Sequence, residues 1–245
     1  MGRVGVSKIK NMITLFKYRP FNDHLKSVIM SQKIWFPTRA KLNDPEDLEL
    51  NLVEDVDAEV YHQFLLKKAD QESWPRKHLK YNLKKSFTAK GDLTSQAKRK
   101  IVSSKPMLQK HFDDLGILSL SERGNDPVLW ERYGDKDKGV CIVFKLEFSE
   151  YLLRVKYETP RPQPKLSVLM LSADADQELI RVLGTKTTKW SDELEWRLFV
   201  SNGNTEISFH GKIAAIRLGK KMVDANRQTI AHWVAAAGQP FVIED

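Results

Sequence analysis

The chain has 245 residues, of which 41% are hydrophobic and 29% are charged, with a net charge of +8. This length predicts one large domain or two small ones, and the hydrophobic content is typical of a globular protein with a sizeable core. No run reaches the roughly 18 apolar residues that a membrane-spanning helix needs, so the sequence argues against a membrane partner. The single cysteine, Cys141, excludes an internal disulfide. Together these features predict a cytoplasmic protein of bacterial type.

The positive charge is concentrated in one part of the sequence. Residues 67–112 contain 13 Lys and Arg but 3 Asp and Glu, whereas all the other residues together carry a net charge of −2. A basic segment of this kind can neutralise the phosphates of RNA or DNA. The alternative is a solvated helical face that binds nothing. The candidate nucleic-acid contacts are Lys84, Lys85, Lys98 and Arg99.

The first predicted elements are a strand, a helix and a second strand. Residues 13–19 are rich in β-branched and aromatic side chains and end before Pro20, which predicts a strand. Asn22 is a favoured N-cap residue, so a helix is expected to follow it. Residues 33–36 predict a short strand that Pro37 stops.

Helical patterns then dominate residues 55–111, and β patterns return from Gly116 onward. The Asp-Pro steps at 44–45 and 126–127 each predict the start of a helix. Later strands are predicted over 117–121, 140–144, 152–157, 195–200, 213–218 and 240–243, and later helices over 128–133, 175–183 and 224–236. The pattern predicts one α+β domain over 1–245, with a basic helical insertion over 55–112.

Two glutamates near a late strand form the most informative motif. Glu193 and Glu195 lie between Trp190 and Trp196, at the entrance to the apolar run 198–200. Side chains two residues apart on a strand share a face, so both carboxylates are expected on one partly dry face. With Arg197 nearby, such a pair suits a site that stabilises a developing positive charge. The alternative is a structural ion pair with Arg197 at a surface strand.

Several common mechanisms lack their sequence motifs. The chain has no phosphate-binding G-x-x-x-x-G-K-[ST] loop, no G-x-G-x-x-G fingerprint and no G-x-S-x-G elbow. Its six histidines show no paired metal-ligand spacing, and one cysteine cannot build a zinc site, so no metal cofactor is expected. What remains is a set of polar residues at predicted strand edges and on a short helix: Tyr18, Arg19, Ser119, Ser121, Trp130, Tyr133, Glu193 and Glu195.

The chain resembles the bacterial domain-of-unknown-function family 2971, and the similarity extends from Leu15 to about Leu218. The motifs that carry it are Leu15-Phe16-Lys17-Tyr18-Arg19, Leu42-Asn43-Asp44-Pro45-Glu46, Leu118-Ser119-Leu120-Ser121-Glu122, Trp130-Glu131-Arg132-Tyr133-Gly134, Gly139-Val140-Cys141-Ile142-Val143-Phe144 and Glu193-Leu194-Glu195-Trp196-Arg197. This family name implies no activity by itself.

The order Arg19, Ser119-x-Ser121, Glu193-x-Glu195 also resembles the R–S–E pattern of ADP-ribosyltransferases. The resemblance implies a mixed or antiparallel split β-sheet core that binds NAD as a substrate. It implies that Arg19 holds the NAD phosphates and ribose, and that Ser119 and Ser121 shape the nicotinamide-ribose pocket. The ring of Tyr18, Trp130 or Tyr133 would stack on nicotinamide.

In this pattern the last glutamate, Glu195, would steady the oxocarbenium ion as nicotinamide leaves, and Glu193 would act on the acceptor. Oxocarbenium chemistry calls for such a fixed carboxylate. The middle motif here is Ser-Leu-Ser, where the superfamily often has Ser-Thr-Ser. By extension from superfamily members, a toxin or phage-defence effector is implied, with nucleic acid or protein as target and a protein partner such as an antitoxin.

Two other functions stay open. One is a non-enzymatic module that binds nucleic acid or a protein partner, in which Glu195 and Arg197 form a structural ion pair. The other is a nuclease-like hydrolase that uses Glu46, Asp47 and Glu195 with a metal. The convergence of Arg19, Ser119, Ser121 and Glu195 in one pocket is the geometric test that separates the transferase hypothesis from both.

Overall fold

Strands and helices alternate irregularly along the computed structural model, which describes residues 12–148, 152–209, 211–238 and 242–244. The strands in these ranges are Met12–Arg19 (β1), Lys33–Phe36 (β2), Gly116–Ser121 (β3), Val140–Glu147 (β4), Leu153–Arg154 (β5), Lys156–Tyr157 (β6), Thr185–Lys186 (β7), Glu195–Val200 (β8), Thr205–Ser208 (β9), Lys212–Leu218 (β10) and Val242–Glu244 (β11). The helices are Asp23–Ser31 (α1), Ala58–Gln71 (α2), Arg76–Ser86 (α3), Ser95–Val102 (α4), Lys105–Asp114 (α5), Pro127–Tyr133 (α6), Leu166–Leu171 (α7), Ala175–Leu183 (α8) and Asp224–Ala237 (α9).

A mixed seven-stranded sheet makes the protein α+β. Its strand order is β11-β10-β4-β1-β3-β8-β5. The pair β10–β11 is parallel, and the other neighbours are antiparallel. Two smaller sheets pair β2 with β9 and β6 with β7. The strands that carry the R, S and E residues, β1, β3 and β8, are neighbours in the large sheet.

The chain divides into two compact units. The first unit combines residues 1–38, 116–155 and 189–245 and contains the seven-stranded sheet. The second combines residues 39–115 and 156–188 and contains helices α2 to α5, α7 and α8. The predicted helical segment 55–112 therefore falls within a larger unit that also recruits a later part of the chain.

The two faces of the large sheet have different coverings. Residues directly opposite each other on neighbouring strands point to the same face. One face, here named the α1/α9 face, carries Leu15 and its partner Phe144, which pack in one core with Leu25 of α1 and Ile230 of α9. The other, named the α6 face, carries Tyr18 opposite Cys141, and both pack against Leu129 and Trp130 of α6.

The capping chemistry of α1 follows the sequence prediction. The side chain of Asn22 accepts a hydrogen bond from the backbone N–H of Leu25 at 3.1 Å, which satisfies one of the unpaired donors of the first turn. The helix ends at Gln32, whose φ of +50° lies in the left-handed region. Its apolar residues Leu25, Val28 and Ile29 are buried in the core. The strand and helix predictions over 13–36 are thus confirmed.

The second unit has its own hydrophobic core. Tyr61 and Leu65 of α2 pack with Ala97 and Ile101 of α4 and with Leu166 of α7. Helix α2 is capped by Asp57, and α4 by Thr94. These contacts explain why the helical pattern over 55–111 resolves into four helices, since each buries a narrow apolar stripe against the others.

Some predicted elements are wrong. Asp44-Pro45 starts a turn, not a helix, because the Asp44 side chain and carbonyl accept the backbone N–H groups of Glu46 and Asp47 locally. The predicted strand over 152–157 splits into β5 and β6, which belong to different sheets. Helix α7 and strand β9 were not predicted. Of the predicted strand 240–243, residues 240 and 241 lie outside the described residues, and Val242–Glu244 forms β11.

Over the described part of the chain, no helix combines the length and apolar character needed to cross a bilayer.

Candidate carboxylate site

Helix α6 is held on the sheet by a hydrogen-bonded N-terminus. Asp126 caps it, accepting the N–H groups of Val128 at 2.9 Å and Leu129 at 3.2 Å, and Pro127 occupies the first turn. The hydroxyl of Tyr18 donates to the Arg123 carbonyl at 2.8 Å and accepts the Asp126 N–H at 3.1 Å. This arrangement confirms the helix start predicted from Asp126-Pro127 and places the end of α6 near Glu193.

Asp126→Ala is expected to lower the free energy of unfolding by about 0.5–2 kcal/mol, because α6 loses its cap. Burial raises the pKa of Asp126, but the Arg123 side chain and the two capping amides outweigh it, so the net pKa lies below its ordinary value. The resulting stabilisation is present above the unfolded-state pKa of about 4 and disappears as pH falls through the lower folded-state pKa. Urea unfolding at several pH values measures this effect.

Asp126→Asn is the matched control, since Asn caps as well as Asp but carries no charge. It should retain stability at neutral pH better than Asp126→Ala and should lose the acid-dependent part. Equal stability of Asp126→Ala and the wild type at all pH values would show that this cap does not anchor α6.

The two glutamates are separated by a kink. Glu193 ends a 3₁₀ helix over Thr188–Glu193, Leu194 has φ +42°, and Glu195 begins β8. The expected strand alternation through Glu193-Leu194-Glu195 is therefore wrong, because a branched side chain in the left-handed region interrupts it. Backbone outliers of this kind cost of order 1–3 kcal/mol and cluster at functional sites.

Glu195 is buried against Arg197. The exposed fraction is 3% for Glu195 and 0% for Arg197. The Arg197 Nε donates to Glu195 Oε1 at 2.8 Å, and the Nη2 donates to Oε2 at 3.0 Å, so the pair is bidentate. The expected ion pair is present, but it lies in the interior and not at a surface strand. A charge-assisted pair of this geometry fixes the orientation of the carboxylate.

Glu193 is also buried, with an exposed fraction of 5%. Its Oε1 accepts a hydrogen bond from the Tyr133 hydroxyl at 2.5 Å and lies 3.7 Å from Nη1 of Arg132. The Ser121 hydroxyl donates to the Glu193 carbonyl at 2.6 Å. Thus β3, α6 and the segment before β8 together position the carboxylate of Glu193.

Cations and an aromatic ring lie at the outer edge of this group. The Arg132 guanidinium carbon lies 5.1 Å from the ring centroid of Trp190, and Lys189 Nζ lies 5.7 Å from it. Arg132 also pairs with Asp192 at 3.0 Å, and both side chains are about one third exposed. Arg132 was not predicted as a site residue, although the Trp130-Glu131-Arg132-Tyr133 motif contains it next to a predicted one.

The structure brings the serines together with the glutamates. Ser121 is the direct cross-strand partner of Glu195, and Ser119 is the partner of Arg197. All four residues therefore share the α6 face of the sheet. The half-buried Tyr133 joins them from α6, and its hydroxyl serves Glu193 where the sequence analysis expected its ring to stack on a ligand.

Arg19 does not join this group. Its cross-strand partner is Val140, which belongs to the core on the α1/α9 face, opposite the face that carries Glu195. Burial lowers the pKa of Arg19, and the carboxylate of Glu206 opposes that shift. The expected convergence of Arg19 with Ser119, Ser121 and Glu195 in one pocket is wrong. Successive residues of β1 point to opposite faces of the sheet, and Arg19 falls on the α1/α9 face.

Tyr18 and Trp130 lie on the α6 face but are interior residues. Their rings meet edge-to-face with centroids 5.0 Å apart, and both side chains are buried. Burial raises the pKa of Tyr18, and its hydroxyl is engaged with the α6 N-terminus. These rings pack α6 onto the sheet, so neither presents a free face for nicotinamide in this conformation. Cys141 is buried beside them, and burial raises its thiol pKa to about 12.

The four candidate nucleic-acid contacts lie on two helices of the second unit. Lys84 and Lys85 are in the last turn of α3, and Lys98 and Arg99 are in α4. All four side chains are exposed. None of them forms an ion pair with any described residue.

Among the described residues, no group of three or more His, Cys, Asp and Glu side chains could hold a metal ion. Glu46 and Asp47, the other acidic residues of the nuclease hypothesis, lie in the turn before α2 in the second unit.

No family model, curated protein or solved structure matches this chain. The resemblances to family 2971 and to the R–S–E pattern therefore stay predictions.

Proposed function

We propose that the first unit contains a glycosyl-transfer site that cleaves the N-glycosidic bond of NAD and releases nicotinamide. The observation that carries this proposal is the pair of buried carboxylates, Glu193 and Glu195, on either side of a left-handed Leu194. Two fixed carboxylates beside hydroxyl and guanidinium groups suit a reaction in which an oxocarbenium ion develops.

Glu195 is the electrostatic residue of this mechanism. Arg197 holds both of its oxygens, so the carboxylate is oriented before substrate binds. Such preorganised charges need little rearrangement as the sugar becomes positive. Glu193 acts on the acceptor, either water or a target group. The Tyr133 hydroxyl donates to Glu193 Oε1 and holds its carboxylate in place.

Because Arg19 lies on the opposite face of the sheet, the R–S–E form of the hypothesis fails its geometric test, and only Ser119, Ser121, Glu193 and Glu195 are retained from it. In the revised site, Arg132 and Lys189 take the place that the resemblance assigned to Arg19. Both cations lie beside Trp190 at the edge of the carboxylate group, where they would bind the pyrophosphate of NAD. Adjacency of β1, β3 and β8 in one sheet supports an ADP-ribosyltransferase-like core, with the second unit supplying the basic helical part. A toxin or phage-defence role rests on the resemblance alone.

One observation favours a second candidate, a non-enzymatic module that binds nucleic acid or a protein partner such as an antitoxin. The Glu195–Arg197 pair is closed and bidentate, and that geometry also fits a purely structural role. Under this second candidate, substitutions at Glu195 would change stability alone.

Incubation of the purified chain with NAD tests the proposal. The wild type is expected to release nicotinamide, measured by chromatography, at a rate proportional to protein concentration. Glu131→Gln is the matched control, since this exposed α6 carboxylate lies outside the Glu193–Glu195 group and should retain full activity. Absence of nicotinamide release by the wild type, with and without added RNA, DNA or protein acceptors, would contradict the proposal.

A further inference from the structure

The second unit presents an unusually one-sided charge distribution between Arg76 and Lys100. This stretch contains nine Lys and Arg residues and one acidic residue, Asp92. All nine cations are exposed, and none forms an ion pair with a described residue. They are Arg76, Lys77, Lys80, Lys84, Lys85, Lys90, Lys98, Arg99 and Lys100.

The cations of α3 reduce the stability of their own helix. Arg76, Lys80 and Lys84 follow each other at intervals of four residues. Each pair of like charges at this spacing destabilises a helix by about 0.2–0.5 kcal/mol. Arg76 and Lys77 also lie in the first turn, where the helix dipole disfavours positive charge, and no side chain caps this helix. A merely solvated face would be served better by mixed charges, so the arrangement favours an anionic ligand.

An exposed tyrosine lies in the middle of the same face. Tyr81 is 63% exposed, and its hydroxyl makes no hydrogen bond with a described residue. Lys77 and Lys85 lie four residues before and after it, so they flank the ring on one helix face. Nucleic-acid bases stack on exposed aromatic rings of this kind, and the stacking depends little on the nucleotide sequence because every base has a flat face.

The inward side of α3 is already occupied. Leu83 packs with the core of the second unit and Ser86 is buried. The exposed face of α3 therefore lacks the broad apolar stripe that an interfacial membrane helix inserts between lipids. A positively charged surface with one exposed aromatic ring suits nucleic acid better than a membrane.

The connection after α3 extends the surface to α4. The backbone N–H of Thr94 donates to the Ser86 carbonyl at 2.8 Å, and its hydroxyl donates to the Lys85 carbonyl at 3.1 Å. The start of α4 is therefore fixed beside the end of α3. Lys98 and Arg99 lie four and five residues after Thr94, within about two helical turns of this junction.

We infer that the exposed face of α3, continued by α4, binds single-stranded nucleic acid, with Tyr81 stacking on a base and the flanking lysines contacting phosphates. Single strands fit this surface because their bases are unstacked and can reach a ring that projects from a convex helix. In a duplex the base faces are hidden, so Tyr81 would add nothing. This inference does not depend on the carboxylate site.

Fluorescence anisotropy of the full chain with a labelled oligothymidylate tests the stacking. Tyr81→Ala is expected to weaken binding about 5- to 140-fold, which corresponds to loss of one base–aromatic stack. Tyr81→Phe keeps the ring and should bind like the wild type. Phe148→Ala, which removes a similarly exposed ring (59%) from the first unit, is the matched control and should also bind like the wild type.

A triple variant tests the phosphate contacts. Lys77→Gln, Lys84→Gln and Lys85→Gln together should reduce the slope of log affinity against log salt by about 2, since each single-strand phosphate contributes about 0.7. The charge-matched control replaces three exposed first-unit lysines, Lys26, Lys138 and Lys221, with Gln and should leave the slope unchanged.

Three results would overturn the inference. One is wild-type affinity of Tyr81→Ala for the oligothymidylate, with folding verified by circular dichroism. Another is tighter binding to a duplex of equal length, which would assign the surface to double strands. The third is Tyr81-dependent co-sedimentation with phosphatidylserine vesicles without oligonucleotide binding, which would assign it to membranes.

Discussion

Replacing Arg197 with Met is expected to lower the free energy of unfolding of the first unit by about 3–5 kcal/mol. Arg197 is completely buried and holds both carboxylate oxygens of Glu195. Without it, the charge of Glu195 is left in the interior with its bidentate partner gone. Urea unfolding, followed by fluorescence of the tryptophans, measures the loss.

An exposed pair in the same unit provides the control. Arg154 lies 3.0 Å from Glu122, but its side chain is mostly exposed. Arg154→Met is therefore expected to cost at most about 1 kcal/mol, as is usual for surface ion pairs. A double replacement of the buried pair, Glu195→Leu with Arg197→Met, should recover much of the stability, because no buried charge remains. Wild-type stability of Arg197→Met would contradict the interior ion pair.

Local sequence patterns predicted most of the fold. The capping residues Asn22 and Asp126 mark the starts of α1 and α6, and the strand patterns locate β1, β3, β4, β8 and β10. These signals are local, because a helix cap and the repeat of apolar residues along a helix or strand each depend on residues only a few positions apart. Asp44 was mistaken for a cap, since an Asp-Pro step satisfies backbone N–H groups in a turn just as well.

The candidate site depends on relations that local patterns do not contain. The order of the strands brings Ser121 beside Glu195. The register of β1 determines which of its residues lie on each face of the sheet, and it places Arg19 on the face opposite these two residues. The kink at Leu194 has no signature, because Leu rarely adopts a positive φ. Tyr133 and Glu193 are 60 residues apart in the sequence, and their hydrogen bond depends on where α6 lies on the sheet.

Glu195→Gln is expected to reduce nicotinamide release about 10²–10³-fold per folded molecule, the usual effect of removing one preorganised electrostatic contact. The sequence pattern predicted Glu195 on a partly dry strand face, at which an isosteric change would cost little stability. Its burial against Arg197 corrects that expectation, so the variant should also be less stable. Activity must therefore be divided by the folded fraction, measured by thermal melting of the same sample.

A variant with neutral amides at positions 195 and 197 distinguishes a catalytic role of Glu195 from a structural one. The double variant Glu195→Gln with Arg197→Gln removes both charges and keeps hydrogen-bonding groups at both positions, so it should fold better than Glu195→Gln alone. If the carboxylate stabilises an oxocarbenium ion, the folded double variant should still lack nicotinamide release. Retained turnover in that variant would mean that Glu195 serves only as the partner of Arg197.

Glu193→Gln should have a different signature. If Glu193 acts on the acceptor as proposed, its replacement should suppress transfer to an added acceptor more than hydrolysis by water, whereas Glu195→Gln should suppress both. The Tyr133 hydroxyl can donate to the amide oxygen of Gln at this position, so folding should be retained. Nicotinamide release is compared with and without acceptor. Equal loss of hydrolysis and transfer in Glu193→Gln would exclude an acceptor-side base and assign both glutamates to the bond-breaking step.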